Sequence, residues 1–395
     1  MEGLRRALES LDEPSSCEGT FRITERLAIM LPDGDLGAVD DAGFVDWLGE
    51  HGELAPFGHG GKTVVDPAVR LATRVGSLQV GGFDPADVLG EIEAALSPRT
   101  HLVATLTDLL VYPTGGHFAQ HKDTPRSPEL VGTLIVGLPI EHVGGAFQIH
   151  DGTGTRVIDW SGPADPTLLP WVAFFSDVDH EVTPVESGAR VTLVYSLALS
   201  DRVRTDKSWH ERIAKVAASA RRLQLPEIGP LMIACTRHVI ALDGPQPQGI
   251  ETLRGVDRDL ADVLVSSGFH VTVRTCLVAR DREFDDTGAS SRFRNEGELY
   301  FARLDRPLLE PDIAALLDCV TFQPSLGDGG GILDEDNSNL EPYLVDTVPV
   351  YNWIIRGTAA ATLIREVEFA GDGFIGNAAS DAYLYKLAAL EVTRR

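Results

Sequence analysis

Between residues 102 and 200 the apolar positions fall into short runs set off by glycine, proline and polar turns. The runs cover 109–112, 130–138, 146–150, 156–160, 171–176 and 190–199. Short runs at this spacing predict the strands of a sandwich or barrel rather than a βαβ sheet. The flanks are patterned differently. Residues 1 to about 100 read as mixed and mostly helical, with apolar residues at helical spacing over 41–49 and 85–96. After Ser200 helical and strand periods alternate. They predict a helix over 206–223 with a basic face, a strand over 231–242, a helix over 257–267, strands over 270–279 and 298–304, a helix over 311–320 and a last helix over 383–392. The stretch 324–345 reads as a long acidic loop.

A chain of 395 residues exceeds one ordinary core. The expected fold class is α+β and mainly β, in two domains. Residues 1–200 form the first, with its strand core at about 102–200, and residues 201–395 form an α+β domain.

Charge narrows the partners. Acidic residues outnumber basic ones 59 to 34, for a formal charge of -25. Such a chain is repelled by nucleic-acid backbones and by anionic membranes, so neither is expected as a partner. The cysteines, Cys17, Cys235, Cys276 and Cys319, form no CxxC pair and no disulfide framework. The N-terminus lacks an apolar signal core, and no apolar stretch is long enough to span a bilayer, so the cytoplasm is the expected location.

The chemistry concentrates in Tyr112-Pro-Thr-Gly-Gly-His-Phe-Ala-Gln-His121-Lys-Asp123. A His and an Asp two residues apart project to one side of an extended segment, ready for one divalent ion. His180, directly after an apolar run, supplies a third ligand. Two His and one carboxylate form the facial triad of non-haem iron(II) oxygenases, with positions left open for cosubstrate and dioxygen. Arg190 follows His180 by ten residues across a turn-like Pro184-Val-Glu-Ser-Gly188. A guanidinium there is suited to gripping a carboxylate through two parallel hydrogen bonds.

The segment from about 109 to 199, about a quarter of the chain, resembles the catalytic domain of prolyl 4-hydroxylase-like iron(II)- and 2-oxoglutarate-dependent dioxygenases. The resemblance is carried by His121-Lys-Asp123, Gly144-Gly145-Ala-Phe, His180-Glu-Val-Thr-Pro-Val and Gly188-Ala-Arg190-Val-Thr192-Leu. It implies a double-stranded β-helix, or jelly-roll, catalytic domain with supporting helices. It implies iron(II) on His121, Asp123 and His180, with dioxygen and 2-oxoglutarate as cosubstrates and ascorbate as a stimulant. The distal carboxylate of 2-oxoglutarate falls to Arg190, helped by Tyr112, nine residues before the first ligand. The implied reaction is hydroxylation of an aliphatic carbon, on a protein side chain (prolyl-like) or an amino-acid-derived small molecule. Arg190 stands where the prolyl enzymes usually carry Lys. The presence of Asp123 favours hydroxylation over halogenation, because the halogenases of this superfamily typically lack that carboxylate.

Other residues carry weaker expectations. Thr192 shares a face with Arg190 and is a further candidate for the cosubstrate. His117 is a candidate for supporting the ligands or lining the substrate pocket. Asp177 or Asp179 is a candidate for orienting the His180 ring, and Arg126 reads as a solvated surface residue. His142 and His150 read as ordinary surface or strand residues, and Trp160 and Trp171 as packing. His210, His238 and His270 read as structural. For residues 201–395 the roles of substrate recognition, oligomerisation and support of the barrel stay open. The competing class is a non-catalytic jelly-roll module that binds a ligand or senses oxygen through its C-terminal domain.

Overall fold

The computed structural model describes residues 2–9, 14–59, 62–96, 100–123, 130–151, 154–176, 178–204, 207–236, 248–253, 255–282, 299–304, 344–347, 352–354, 361–368 and 381–395. The chain is mainly β. Among the described residues no helix is long and apolar enough to cross a membrane. Two compact units are present: Glu13–Thr205, and Met1–Asp12 together with Asp206–Arg395.

Two antiparallel sheets, of seven and five strands, dominate the first unit beside smaller sheets of two and three strands. The larger has the strand order Ser16–Arg22, Leu168–Phe175, Leu130–Gly137, Arg190–Val203, Thr100–Tyr112, Thr73–Val75 and Glu53–Leu54. The smaller has the order Gly154–Ile158, Phe147–Asp151, Asp179–Val182, His117–His121 and Arg70–Leu71. From Thr100 onward the chain passes back and forth between them, with one hairpin, Phe147–Asp151 to Gly154–Ile158, inside the smaller sheet. Thr100–Tyr112 lies in the larger sheet, His117–His121 in the smaller, Leu130–Gly137 in the larger and Phe147–Asp151 in the smaller. Leu168–Phe175, Asp179–Val182 and Arg190–Val203 continue the alternation.

Both sheets contribute to one core, in which Leu109, Leu134, Val136, Phe147, Ile149, Leu169, Phe174 and Leu193 are almost fully buried. Leu130–Gly137 and Leu168–Phe175 are buried at nearly every position rather than at alternate ones. A strand covered on both faces reads as a continuous apolar run, which is the pattern these segments have in sequence. Helix Ala86–Leu96 packs on Thr100–Tyr112 and Ser16–Arg22 through Val88, Ile92 and Leu96. It is clipped in place by the buried Glu93. That carboxylate accepts from the Leu102 amide at 2.7 Å and lies 3.0 Å from His101 Nδ1. The Glu93 carbonyl accepts from Arg204 at 2.5 Å.

The second unit has a sheet in the order Leu344–Thr347, Leu299–Leu304, Phe269–Arg282, Asp381–Arg394, Leu231–Ala234 and Trp353–Ile354, with Ala361–Glu368 also paired to Asp381–Arg394. Helices Glu2–Glu9, Lys207–Ala220 and Gly255–Ser266 share its core, where Leu4, Leu8, Val216, Leu260 and Leu264 meet Ile233, Val273, Leu390 and Val392. The helix Glu2–Glu9 thus groups with residues from the far end of the chain.

Two sequence expectations are corrected. The segment 383–392 is not a helix but part of the strand Asp381–Arg394. It pairs with Phe269–Arg282 on one edge and with Ala361–Glu368 and Leu231–Ala234 on the other. Residues 387–392 are all buried, and an apolar run without alternation does not separate a buried strand from a helix. Residues 1–100 are not mostly helical. Besides Glu2–Glu9, Phe44–Glu50 and Ala86–Leu96 they hold mostly strands, many of two or three residues, too short for any period to register. The expected helix over 311–320, most of the 324–345 stretch, Arg126, Asp177 and His238 lie outside the described residues.

The close sheet contacts leave no room at Gly132. A Cβ there meets the Phe174 carbonyl oxygen at 2.3 Å, and that oxygen belongs to a paired strand that cannot give way. Gly132→Ala is expected to cost about 1–3 kcal/mol or more, read as a lowered denaturant midpoint. Leu134→Ala, at a fully buried position, is expected to cost about 2–5 kcal/mol in the same assay.

Candidate metal centre

Two crossings between the sheets run side by side. One leads from Tyr112 to His121, the other from His180 to Arg190. At one end Tyr112 pairs with Arg190 in the larger sheet, and at the other His121 pairs with His180 in the smaller. Midway, Gly115 N donates to Val185 O at 2.7 Å and Val185 N to Gly116 O at 2.9 Å. The same two chain segments therefore fix both ends.

At the His end the pairing carries an irregularity. Phe118 stands opposite Val182 and His121 opposite His180, so one strand has an extra residue. Residues three apart on a regular strand face opposite sides. The β-bulge changes this phase: the Phe118 and His121 rings stack with centroids 3.6 Å apart, and His121 lies 4.2 Å from the His180 ring. Phe174 and Phe147 close around His180 at 4.5 and 5.5 Å.

Asp123 completes the group. Its Oδ1 lies 3.8 Å from His180 Nε2 and 4.0 Å from His121 Nε2. The three donor atoms fall within 4.8 Å of one another, and among the described residues this is the one such group that could hold a metal ion. Each donor is aimed by a bond of its own. His121 Nδ1 is 2.8 Å from Ala119 O, and His180 Nδ1 is 2.9 Å from Val178 O. A carbonyl only accepts, so Nδ1 carries the hydrogen in both rings, and Nε2 is the nitrogen left to present a lone pair to a metal. Thr133 Oγ1 donates to Asp123 Oδ2 at 2.5 Å, leaving Oδ1 toward the imidazoles.

Burial, and then the neighbouring His180, push the His121 pKa down to about 4. The Ala119 carbonyl and Asp123 act in the opposite direction without reversing it. His121 is therefore neutral at physiological pH, the form that ligates a metal.

At the other end, Arg190 is 2% exposed. Its guanidinium carbon lies 5.1 Å from the Trp160 ring centre and 5.6 Å from that of Tyr112. Its Nη2 is buried with no hydrogen-bond partner, and no carboxylate pairs with it among the described residues. Burial lowers its pKa to about 10, with Tyr112 opposing, so it remains a cation. Thr192, on the same face two residues along, is 1% exposed and its Oγ1 also lacks a partner. Gly145 passes against this side chain: a Cβ there meets Arg190 Cδ at 3.1 Å, and its φ of +71° excludes most other residues.

The remaining candidates fall elsewhere. His117 is held by backbone, with Nδ1 3.0 Å from Gly115 O and Nε2 3.1 Å from Ala68 O. Asp179 pairs with Lys122 Nζ at 3.6 Å rather than orienting His180; the Val178 carbonyl does that. His150 contacts Glu181 and Thr155. Three features escaped the sequence: Thr133 on the ligand carboxylate, Trp160 on the guanidinium, and the buried His142. A hydroxyl inside the apolar 130–138 run was a usable signal for the first; the other two had none.

The depressed His121 pKa has a consequence for stability. The unfolded chain binds a proton near the ordinary histidine pKa, while the folded metal-free protein resists it down to about pH 4. Folding stability is therefore expected to fall as pH drops from about 6.5 to 4. Thermal midpoints measured across that window are expected to fall more steeply for wild type than for His121→Gln.

No family model and no curated protein matches the chain. Solved structures do. One is an oxidoreductase of the 2OG-Fe(II) oxygenase family from Burkholderia pseudomallei, at 17% identity and a TM-score of 0.28, covering 40% of this chain and 79% of that one. A second is a Pseudomonas putida prolyl-4-hydroxylase, at 20% identity and a TM-score of 0.23, over 29% of this chain and 63% of that one. A third is a Trichoplax adhaerens prolyl hydroxylase in complex with a hypoxia inducible factor oxygen degradation domain peptide fragment. It matches at 13% identity and a TM-score of 0.30, over 50% of this chain and 90% of that one. The chain is thus similar to 2OG-Fe(II) oxygenases and prolyl hydroxylases.

Proposed function

We propose that this protein is an iron(II)- and 2-oxoglutarate-dependent dioxygenase that hydroxylates an aliphatic carbon. The observation that carries the reading is one pair of crossings with a His-Asp-His donor group at one end and a buried, unpaired guanidinium at the other. Two imidazoles and a carboxylate suit iron(II) and leave coordination positions open. The unpartnered Arg190 Nη2 and Thr192 Oγ1 are donors a carboxylate satisfies. The residues present therefore fit both the metal and a dicarboxylate.

In this reading His121, Asp123 and His180 hold the ion, and with 2-oxoglutarate and dioxygen it supplies the oxidising power for attack on an unactivated C–H bond. Arg190 and Thr192 bind the far carboxylate of 2-oxoglutarate. Tyr112 and Trp160 lie against the guanidinium and help keep water from it. Val178, Ala119 and Thr133 keep the three donors turned inward. The alternation of the chain between two sheets supports a double-stranded β-helix, or jelly roll, for the catalytic domain within residues 1–200, with residues 201–395 as a separate α+β domain. The substrate is a protein side chain, prolyl-like, or an amino-acid-derived small molecule, and ascorbate is expected to stimulate turnover.

Anaerobically prepared protein given iron(II) and 2-oxoglutarate is expected to develop the visible metal-to-ligand charge-transfer band and, on admission of air, to form succinate. Asp123→Ala is expected to do neither. A folded wild type with neither band nor succinate would favour the non-catalytic binding module. Arg190→Gln removes a buried charged contact worth about 2–5 kcal/mol. It is expected to raise the 2-oxoglutarate concentration giving half the band by about 30-fold or more, while the protein still binds the metal.

A further inference from the structure

We infer that His142 is a second contact for the carboxylate held by Arg190, made as an imidazolium, so that the pocket takes up a proton when the carboxylate binds. The inference rests on the reading of Arg190 as the 2-oxoglutarate residue and goes beyond it.

His142 is tied to both segments that build the cradle. Its strand, His142–Gly144, pairs with Gly188, two residues before Arg190. It is also bridged to Gly162, two residues after the Trp160 whose ring lies against the guanidinium. The side chain is 5% exposed. Nδ1 is 3.0 Å from the Ile140 carbonyl, which only accepts, so Nδ1 carries the hydrogen. In the neutral ring Nε2 is then a bare acceptor, and it is buried with no partner.

Burial and the Arg190 charge favour its neutral form in the absence of ligand. Burial holds its pKa below the ordinary histidine value and the Arg190 charge acts in the same direction, against the Ile140 bond and Asp159. The other ionisable groups nearby in sequence and pairing are Glu141, beside it in the chain, and Glu186, on the paired strand. Asp159, Glu141 and Glu186 are all exposed and their effect is screened by solvent.

A neutral Nε2 cannot donate to an anion. A carboxylate placed on Arg190 cancels the charge that opposes protonation and offers acceptor oxygens. One proton then passes from solvent to Nε2, an N–H···O bond forms, and no other bond changes. Two buried unpartnered atoms, Arg190 Nη2 and His142 Nε2, are satisfied by one ligand group.

The sign follows from linkage. The His142 pKa is low without ligand and raised with it, so binding takes up a proton between the two values. Affinity then falls as pH rises through that window, by up to about tenfold per pH unit.

The test is calorimetry of 2-oxoglutarate binding to the manganese(II)-loaded full chain, oxygen-free, in buffers of different ionisation heat, from roughly pH 6 to 8. Wild type is expected to take up more protons per ligand than His142→Gln, by up to about one, and to lose affinity with rising pH while the variant stays flat. Binding with equal proton uptake in both proteins overturns this inference and leaves the oxygenase reading standing. Failure of wild type to bind at any pH overturns both. A second readout needs no variant. With zinc(II) in the site and ¹⁵N-labelled histidine, one ring is expected to change from neutral to imidazolium on adding 2-oxoglutarate. A spectrum in which no ring changes overturns the inference.

Discussion

A buried cation with no carboxylate paired to it among the described residues is the constraint on which the first unit depends. Leaving a guanidinium unpaired in an apolar interior is costly, and Arg190 is placed there by the pairing of the larger sheet, opposite Tyr112. Two aromatic faces, Tyr112 and Trp160, offset part of that cost. They do not supply an acceptor for Nη2. Among the described residues, neither the core packing nor the strand pairing balances this positive charge.

The His-Asp-His group answers the same geometry from the other side. Because the Tyr112–His121 and His180–Arg190 crossings are antiparallel and bonded midway through Gly115, Gly116 and Val185, a shift in the register of one moves both ends together. The β-bulge at Phe118–His121 is what turns His121 to the inner face within that frame. Without it the pleat would send the imidazole to the face where Lys122 and Asp179 pair.

Much of this was legible in the sequence, because the strands of the first unit are marked by glycine and proline on both sides, and because His121, Asp123, His180 and Arg190 are residue types with few reasons to sit together. Helix Ala86–Leu96 was legible too, since one face is apolar and its ends are punctuated by proline. Where burial becomes complete the pattern fails. Residues 387–392 are inward on all sides, so helix and strand predict the same apolar run. The residues around the site were least visible. Thr133, Val178 and Ala119 act through a hydroxyl or a backbone carbonyl, which pairing brings into place and composition does not announce. His142 looked ordinary because its environment is set by Gly188 and Gly162, remote along the chain.

The helix Glu2–Glu9 gives the second unit an unusual schedule. Leu4 and Leu8 are sealed into one core with Leu390 and Val392, nearly the whole chain away. The entropic penalty for closing so long a loop grows only slowly with its length, so the arrangement is tolerable at equilibrium. Synthesis orders events differently. The helix leaves the ribosome long before the strand Asp381–Arg394 that shares its core. The unit at 13–205 is continuous and can close first, whereas Leu4 and Leu8 stay without Leu390 and Val392 until that strand has emerged. During that interval they are the exposed apolar surface a chaperone would find.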